Sequence, residues 1–339
     1  MKYYIIAGEA SGDLYGSRLI TEIKLLDKNA KIRFWGGDKM ILSGGTIVKH
    51  ISELAFMGFY EVIKNINKIF SNISFCKKDI LEFNPDKIIY IDYPGFNLRI
   101  CNWANKKGFN NYFYISPQIW AWKEGRIKKI KRSVDKLYVI FPFEKKYYNE
   151  KHNMDTLYFG HPLIEAINSH KINNSFLSDN NIPNNKPVIA LLPGSRSQEI
   201  KTMLPIFLSI ISDYPNYNFV IAGVNNVDPK LYNLAAYCNL FIIYNKTYDL
   251  LTNSFAAIVT SGTASLECSL FKVPQLVCYK TSDLSYFIGK LFVKIRHISL
   301  VNIILKRILL KNLFKVTLIR KILHLNLISS VSKKQEQKL

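Results

Sequence analysis

Cysteine is scarce and scattered in this chain. The five residues Cys76, Cys101, Cys238, Cys268 and Cys278 are odd in number and never form a Cys-x-x-Cys pair. That argues against a disulfide framework or a zinc ribbon and reads as reduced core thiols of a cytosolic protein. Long apolar runs are also missing. Lys or Arg interrupts the apolar stretches every few residues, and only Tyr3 to Ala7 stands between Lys2 and the Gly8-Glu9 pair. This is too short for a signal-peptide core or a membrane span, so the expectation is a cytoplasmic chain that meets a membrane only at its surface. Acidic residues are in deficit, with 25 Asp and Glu against 46 Lys and Arg and a formal net charge of +21. No helix-turn-helix, zinc-finger or aromatic ribonucleoprotein pattern accompanies that charge, which disfavours nucleic acid as the partner. Heavy use of Lys, Asn and Ile throughout the chain accounts for it as well as attraction to an anionic membrane face or a phosphorylated substrate does.

Three phosphate-handling signatures are absent too. Gly8 and Gly12 lack the Gly-x-Gly-x-x-Gly spacing of dinucleotide folds, and no Gly-Lys-Ser or Gly-Lys-Thr follows either glycine turn, so NAD and ATP are weak candidates and no cofactor is expected. There is no Asp-x-Asp pair to hold a divalent cation against a diphosphate. No metal is expected, and leaving-group charge must then be met by protein groups.

What is present is a composition of 48% hydrophobic and 21% charged residues over 339 positions, a length at which chains usually divide into two cores. Apolar, β-rich runs occur at Tyr3 to Ala7, Ile32 to Trp35, Lys87 to Ile91, Tyr112 to Ile115 and Leu137 to Phe141, separated by helical patterns. A second series follows at Val188 to Leu192, Phe219 to Ala222, Leu240 to Tyr244, Ala256 to Thr260 and Gln275 to Cys278. The alternation predicts an α/β protein of two Rossmann-like, doubly wound domains facing one cleft. The polar, Asn-rich stretch from Ile167 to Lys186 predicts the linker, giving domains at 1–166 and 187–304 and a basic tail at 305–339.

In such folds ligands bind beyond the carboxyl ends of the strands, so the residues there carry the chemistry. After the first run come Gly8, Glu9, Ala10, Ser11, Gly12 and Asp13; after the Lys87 to Ile91 run comes Asp92 with Tyr93-Pro94-Gly95. After the Val188 run come Gly194, Ser195 and Arg196, and after the Ala256 run come Ser261, Gly262 and Thr263, with Glu267 one turn into the next helix. Each has a plain alternative: Glu9 or Asp13 complementing a helix N-terminus, Asp92 a turn residue, Ser261 to Thr263 an N-cap. Four such coincidences at strand ends are less economical than one anion-binding cleft. Residues Phe56 to Phe70 read as an amphipathic helix, with Phe59, Val62, Ile63, Ile66 and Phe70 on its apolar face, either core-facing or lying in a membrane surface.

In order along the chain stand Gly8-Glu9-Ala10-Ser11-Gly12-Asp13, Met57-Gly58-Phe59, Asp92-Tyr93-Pro94-Gly95-Phe96-Asn97, Ser116-Pro117-Gln118-Ile119-Trp120-Ala121-Trp122, and Phe141-Pro142-Phe143-Glu144. Gly160-His161-Pro162, Leu192-Pro193-Gly194-Ser195-Arg196 and Ser261-Gly262-Thr263-Ala264-Ser265-Leu266-Glu267 complete the series. Together, over residues 1 to 304, they resemble the lipid-A-disaccharide synthase family of GT-B-type glycosyltransferases. The resemblance implies inverting, metal-independent condensation of UDP-2,3-diacylglucosamine with 2,3-diacylglucosamine 1-phosphate, to give lipid A disaccharide 1-phosphate and UDP. It further implies peripheral association with the inner-membrane lipid surface, and it leaves a homodimer open.

Matched residue by residue, the resemblance makes Asp92 the first choice for the base and Glu9 the second, Glu9 otherwise positioning Asp92 or the acceptor. Gly194, Ser195, Arg196, Ser261, Gly262, Thr263, Glu267 and Asn302 fall on the UDP-sugar side. Gly8, Ser11, Gly12, Trp120, Trp122 and Arg126 fall on the acceptor side, where acyl chains and a phosphate call for both aromatic and basic partners. His161 reads as a structural histidine. From about Lys306 the family pattern runs out in a basic tail, which keeps open an inactive lipid-binding homologue beside the enzyme. A UDP-N-acetylglucosamine epimerase or murein-type transferase of the same fold is the nearer rival.

Overall fold

The computed structural model describes residues 1–54, 66–225, 227–232, 237–278, 280 and 312–313. They divide into two compact units, with the break at Pro162 and Leu163. The first unit runs β1 (Lys2–Ala7), α1 (Ala10–Leu26), β2 (Lys31–Gly36), α2 (Asp38–Ser43), β3 (Thr46–His50), α3 (Ile66–Phe83) and β4 (Lys87–Ile91). It continues with α4 (Pro94–Lys106), β5 (Asn111–Tyr114), α5 (Ile127–Ser133), β6 (Lys136–Val139), α6 (Pro142–Lys146) and β7 (Leu157–Tyr158). These seven strands form one parallel sheet in the order β3-β2-β1-β4-β5-β6-β7.

The helix α7 (Pro162–Asn168) crosses the break, and the second unit continues with α8 (Phe176–Asp179), β8 (Val188–Leu192), α9 (Ser197–Leu208) and β9 (Asn218–Gly223). There follow β10 (Leu240–Tyr244), α10 (Thr247–Thr252), β11 (Ala256–Thr260), α11 (Thr263–Leu270), β12 (Gln275–Cys278) and β13 (Asn312–Leu313). The second sheet is also parallel, ordered β10-β9-β8-β11-β12-β13.

Central strands are apolar throughout because both of their faces are covered. Every residue of β8, β9 and β11 is buried, whereas the edge strands β3 and β10 are partly open. Along β8 the side chains sort by parity, Ile189 and Leu191 packing into one core with α9 and Ala190 and Leu192 into another with α10. In the first unit Ile69, Ile73, Cys76, Ile80 and Phe83 recur at helical spacing along α3 and pack on Tyr4, Trp35 and Tyr90. That core holds one polar chain: the Trp35 indole donates to the Tyr4 hydroxyl at 2.8 Å, and Tyr4 donates to Asp79 at 2.6 Å.

One expectation takes a different form. The stretch 167–186, read as a linker, belongs to the body of the second unit, with Phe176 and Ile182 buried in its core and His170 paired to Asp249 at 2.9 Å. Its asparagines close turns there, so polarity marks surface loops rather than a free connection. Of the amphipathic helix expected at 56–70, residues 56–65 lie outside the described residues; the described helix α3 reaches Phe83 and turns its apolar stripe to the core, leaving Phe70, Phe75 and Leu81 exposed. Among the described residues no helix is long and apolar enough to cross a membrane.

Candidate functional site

In each sheet the strand order reverses direction once, between β1 and β4 in the first unit and between β8 and β11 in the second. At such a switch point the flanking helices depart to opposite faces and leave a crevice at the carboxyl ends. The Gly8-Glu9 and Asp92 turns sit at the first of these points, and the Gly194 to Arg196 and Ser261 to Thr263 turns at the second.

At the first, β4 ends in two consecutive left-handed residues, Asp92 (φ 45°) and Tyr93 (φ 49°), before Pro94 opens α4. Neither is glycine, so the conformation is strained and needs bracing. Asn97 supplies it. Wholly buried on the first turn of α4, its amide donates to the carbonyls of Asp92 (2.7 Å), Ile6 (3.3 Å) and Ile91 (3.4 Å), tying the ends of β1 and β4 together. The Tyr93 ring lies over Gly8, where a Cβ would stand 2.4 Å from it. Burial first, and the Glu9 carboxylate second, push the Tyr93 phenol up to about 12, which places Glu9 beside this turn. Glu9 itself is the half-buried N-cap of α1.

The lack of side chains at Gly8 and Gly12 is used for close packing. A Cβ on Gly12 would meet Ala7 at 3.1 Å, where α1 crosses the sheet, and Ser11 is the half-buried residue beside it. Asp13 does not serve the N-terminus of its own helix. Its buried carboxylate accepts from Gly37 (2.8 Å), Lys39 (3.1 Å) and Met40 (3.0 Å), capping α2 across 24 residues or more of sequence.

The aromatic segment after β5 is fixed from behind. Ile115 is left-handed (φ 69°), and the chain then passes over Glu144, which is fully buried. One Glu144 oxygen accepts from the Trp120 indole (2.9 Å) and the Ser116 hydroxyl (3.2 Å), the other from the Ile140 and Phe141 amides (both 3.0 Å). Burial outweighs these donors and raises the Glu144 carboxyl above the ordinary carboxylate range. The two tryptophans therefore differ: Trp120 is anchored by Glu144 and Phe143, whereas Trp122 is exposed, with Lys123 Nζ at 4.3 Å and Arg126 Cζ at 5.2 Å from its ring centroid. Arg126 is drawn into the Asp92 field, though burial still lowers its pKa. His161 lies between Phe141 and Tyr15, and burial lowers it to about 4, so it is a neutral imidazole at neutral pH.

In the second unit Gly194 has φ 122°, which L side chains rarely adopt, and a Cβ there would also stand 2.5 Å from the Glu199 carboxylate. Glu199 accepts from the Ser195 amide (3.1 Å) and pairs with the Arg196 guanidinium (2.8 Å), so the Arg196 charge is held in place by an acid in the first turn of α9. Across the switch point, Gly262 is the N-cap of α11 with open space around its Cα, and Ser261, Gly262 and Thr263 are all partly accessible. The Ser265 hydroxyl and amide hold the Gly262 carbonyl at 2.8 and 3.1 Å, while Glu267 accepts from the Tyr248 hydroxyl at 3.3 Å.

Asn302, Phe59, Val62 and Ile63 lie outside the described residues, and of Ile66 only the backbone is described. Phe70 is exposed, with the Arg99 guanidinium 5.9 Å from its ring centroid. Asn97, Glu144 and Glu199 are the site residues that the sequence reading left without a role. Each stood inside or beside a noted motif, and each acts through a loop whose geometry only the fold displays.

The chain matches the family described as "Lipid-A-disaccharide synthetase" over residues 3–339, so the match includes the basic tail beyond the last recognised motif. It is 38% identical over 316 residues to "Lipid-A-disaccharide synthase 1" of Legionella pneumophila (strain Paris), covering 90% of this chain and 81% of that one. With "Lipid-A-disaccharide synthase" of Coxiella burnetii (strain Dugway 5J108-111) it shares 35% identity over 304 residues, covering 88% and 81%. Among solved structures it is similar to a UDP-GlcNAc 2-epimerase from Neisseria meningitidis bound to UDP-GlcNAc, with TM-score 0.61, 17% identity and 90% of each chain covered. A Methanocaldococcus jannaschii UDP-GlcNAc 2-epimerase in complex with UDP-GlcNAc and UDP also has TM-score 0.61, at 13% identity over 96% of this chain and 92% of that one. These structural likenesses bear on the fold alone, which is GT-B. The chain belongs to the lipid-A-disaccharide synthase family and is a GT-B-fold glycosyltransferase of lipid A biosynthesis.

Proposed function

We propose that the chain transfers the diacylglucosamine unit of UDP-2,3-diacylglucosamine to the 6-hydroxyl of 2,3-diacylglucosamine 1-phosphate, with inversion and without a metal. The observation that carries this reading is the Asp92 turn: a carboxylate on a strained, braced pair of left-handed residues at the switch point of the first sheet. Asp92 accepts the acceptor hydroxyl proton as that oxygen attacks the anomeric carbon, and the bond to the UDP oxygen breaks. Glu9, beside the same turn, orients Asp92 or an acceptor hydroxyl. In the second unit Arg196, steadied by Glu199, and the partly accessible Ser261 to Thr263 turn at the start of α11 meet the negative charge leaving on the diphosphate. Glu267 takes the ribose diol. We assign the donor to the second unit and the acceptor to the first, at the cytoplasmic surface of the inner membrane, and the exposed Phe70 beside Arg99 supports a lipid-facing side on α3.

The test is UDP release from UDP-2,3-diacylglucosamine with the monophosphate acceptor. Turnover is expected to persist in EDTA and to fall about 10²- to 10⁴-fold in Asp92→Ala. Absence of turnover in the wild-type protein, or undiminished turnover in the variant, refutes the assignment.

A further inference from the structure

The segment carrying Trp122 holds more positive charge than its surroundings balance. Lys123 and Arg126 share the exposed Trp122 ring, and the exposed Arg99, 5.9 Å from the Phe70 ring centroid, stands on α4, the helix that starts at the Asp92 turn. The Lys123 ammonium is held below its ordinary value by burial first and then by repulsion from Arg126 and Arg99. The one acid of the segment is engaged elsewhere: Glu124 accepts from Lys151 (2.6 Å), Tyr147 (3.1 Å) and His152 (3.4 Å). Among the described residues none of the three cations is in an ion pair; their nearest charge complement is the Asp92 field acting on Arg126. Three cations with no carboxylate in an ion pair to them among the described residues repel one another, and a dianionic ligand offsets that repulsion.

We propose that Arg99, Lys123 and Arg126 form a phosphomonoester subsite that holds the anomeric phosphate of the acceptor, with the Trp122 ring fixing Lys123 and Arg126 toward it. This rests on the acceptor reading above and adds Lys123, which that reading left without a role, and Arg99, which there only flanked Phe70. The subsite fixes the sugar through the phosphate on C1, which restricts the ring's orientation and so sets which hydroxyl is presented to the base.

The experiment is calorimetric titration of 2,3-diacylglucosamine 1-phosphate, and of the same lipid without its phosphate, into wild-type protein and the Arg99→Ala/Lys123→Ala variant in neutral detergent micelles. The titration is repeated on phosphatidylglycerol vesicles. Each cation is expected to carry about tenfold in affinity, so the double variant binds the phosphorylated lipid about 100-fold more weakly. The unphosphorylated lipid is expected to bind both proteins equally, and Arg99→Lys to stay within a few-fold of wild type. Equal affinity of both proteins for the phosphorylated lipid overturns the proposal, as does an equal loss for both lipids. A loss seen only on vesicles also overturns it, since the cations would then serve lipid headgroups. Because the readout is binding, a wild-type protein that releases no UDP refutes the reaction while leaving the subsite result legible.

Discussion

Replacing Asn97 by Leu separates the stability of the fold from the geometry of its site. The two left-handed residues at Asp92 and Tyr93 cost about 1–2 kcal/mol each, so about 2–4 kcal/mol must be offset locally. The contact of the Asn97 amide with the Asp92 carbonyl, at 2.7 Å, is the shortest of its three and falls on the strained residue itself. Its loss leaves a part-buried acceptor short of a donor, at up to about 1–3 kcal/mol. Leucine, however, also removes the Asn97 Oδ1, a buried acceptor without a partner among the described residues, and that relieves a penalty of the same order. The two effects nearly cancel in the free energy of unfolding. They do not cancel at the turn, which loses its brace and relaxes toward ordinary backbone angles, carrying the Asp92 carboxylate with it. The expected result is an unfolding midpoint close to wild type, with kcat for UDP release lower by about 10- to 100-fold, the effect of a displacement on the order of 1 Å in a catalytic group. Wild-type kcat in a folded Asn97→Leu protein refutes the bracing role. A fall in stability large enough to account for lost activity refutes the cancellation.

Gly8→Ala sets a methyl against the Tyr93 ring and is expected to cost about 1–3 kcal/mol, read as a lower thermal midpoint, with Asp92-dependent activity falling alongside. Glu144→Gln puts an amide among four donors; we expect a loss of about 2 kcal/mol and a change in Trp120 emission. The same substitution tests a pH dependence. Folded Glu144 holds its proton more tightly than the unfolded chain, so its contribution is whole below the ordinary carboxylate range and is lost as pH rises through the folded value. Denaturant titrations across that window should show the slope in wild type and not in the variant. His161 has the opposite sign: burial holds it near 4, so its contribution is whole above the unfolded value of 6.5 and is lost as pH falls toward 4, a dependence His161→Phe should remove.

The strands that carry the site were legible because parallel strands covered on both faces must be apolar end to end, and β1, β4, β8 and β11 read that way in the sequence. β3 and β7 were not, the first because an edge strand half open to solvent resembles a loop, the second because two residues hold no periodicity. Asp92 could be picked out because it follows an apolar run. Asn97 could not, since its partners include the Ile6 carbonyl 91 residues away and nothing local betrays that meeting. Asp13 misled for a related reason: a carboxylate near a helix start reads as serving that helix, whereas the fold hands it the start of another. The Asn-rich stretch showed its turns and hid its two anchors, Phe176 and Ile182, which are too few to register as a pattern.

The ring of Tyr93 over Gly8 also bears on how the sequence can drift. Position 93 sits where glycine or asparagine would be the easier backbone choice, yet a tyrosine stands there as the lid on position 8. Neither site can change freely while the other stays. A side chain at 8 demands the retreat of the ring at 93, and a small residue at 93 uncovers the backbone at 8 and frees it to accept one. The two positions are therefore coupled by sterics, and a substitution at one is best judged by what stands at the other.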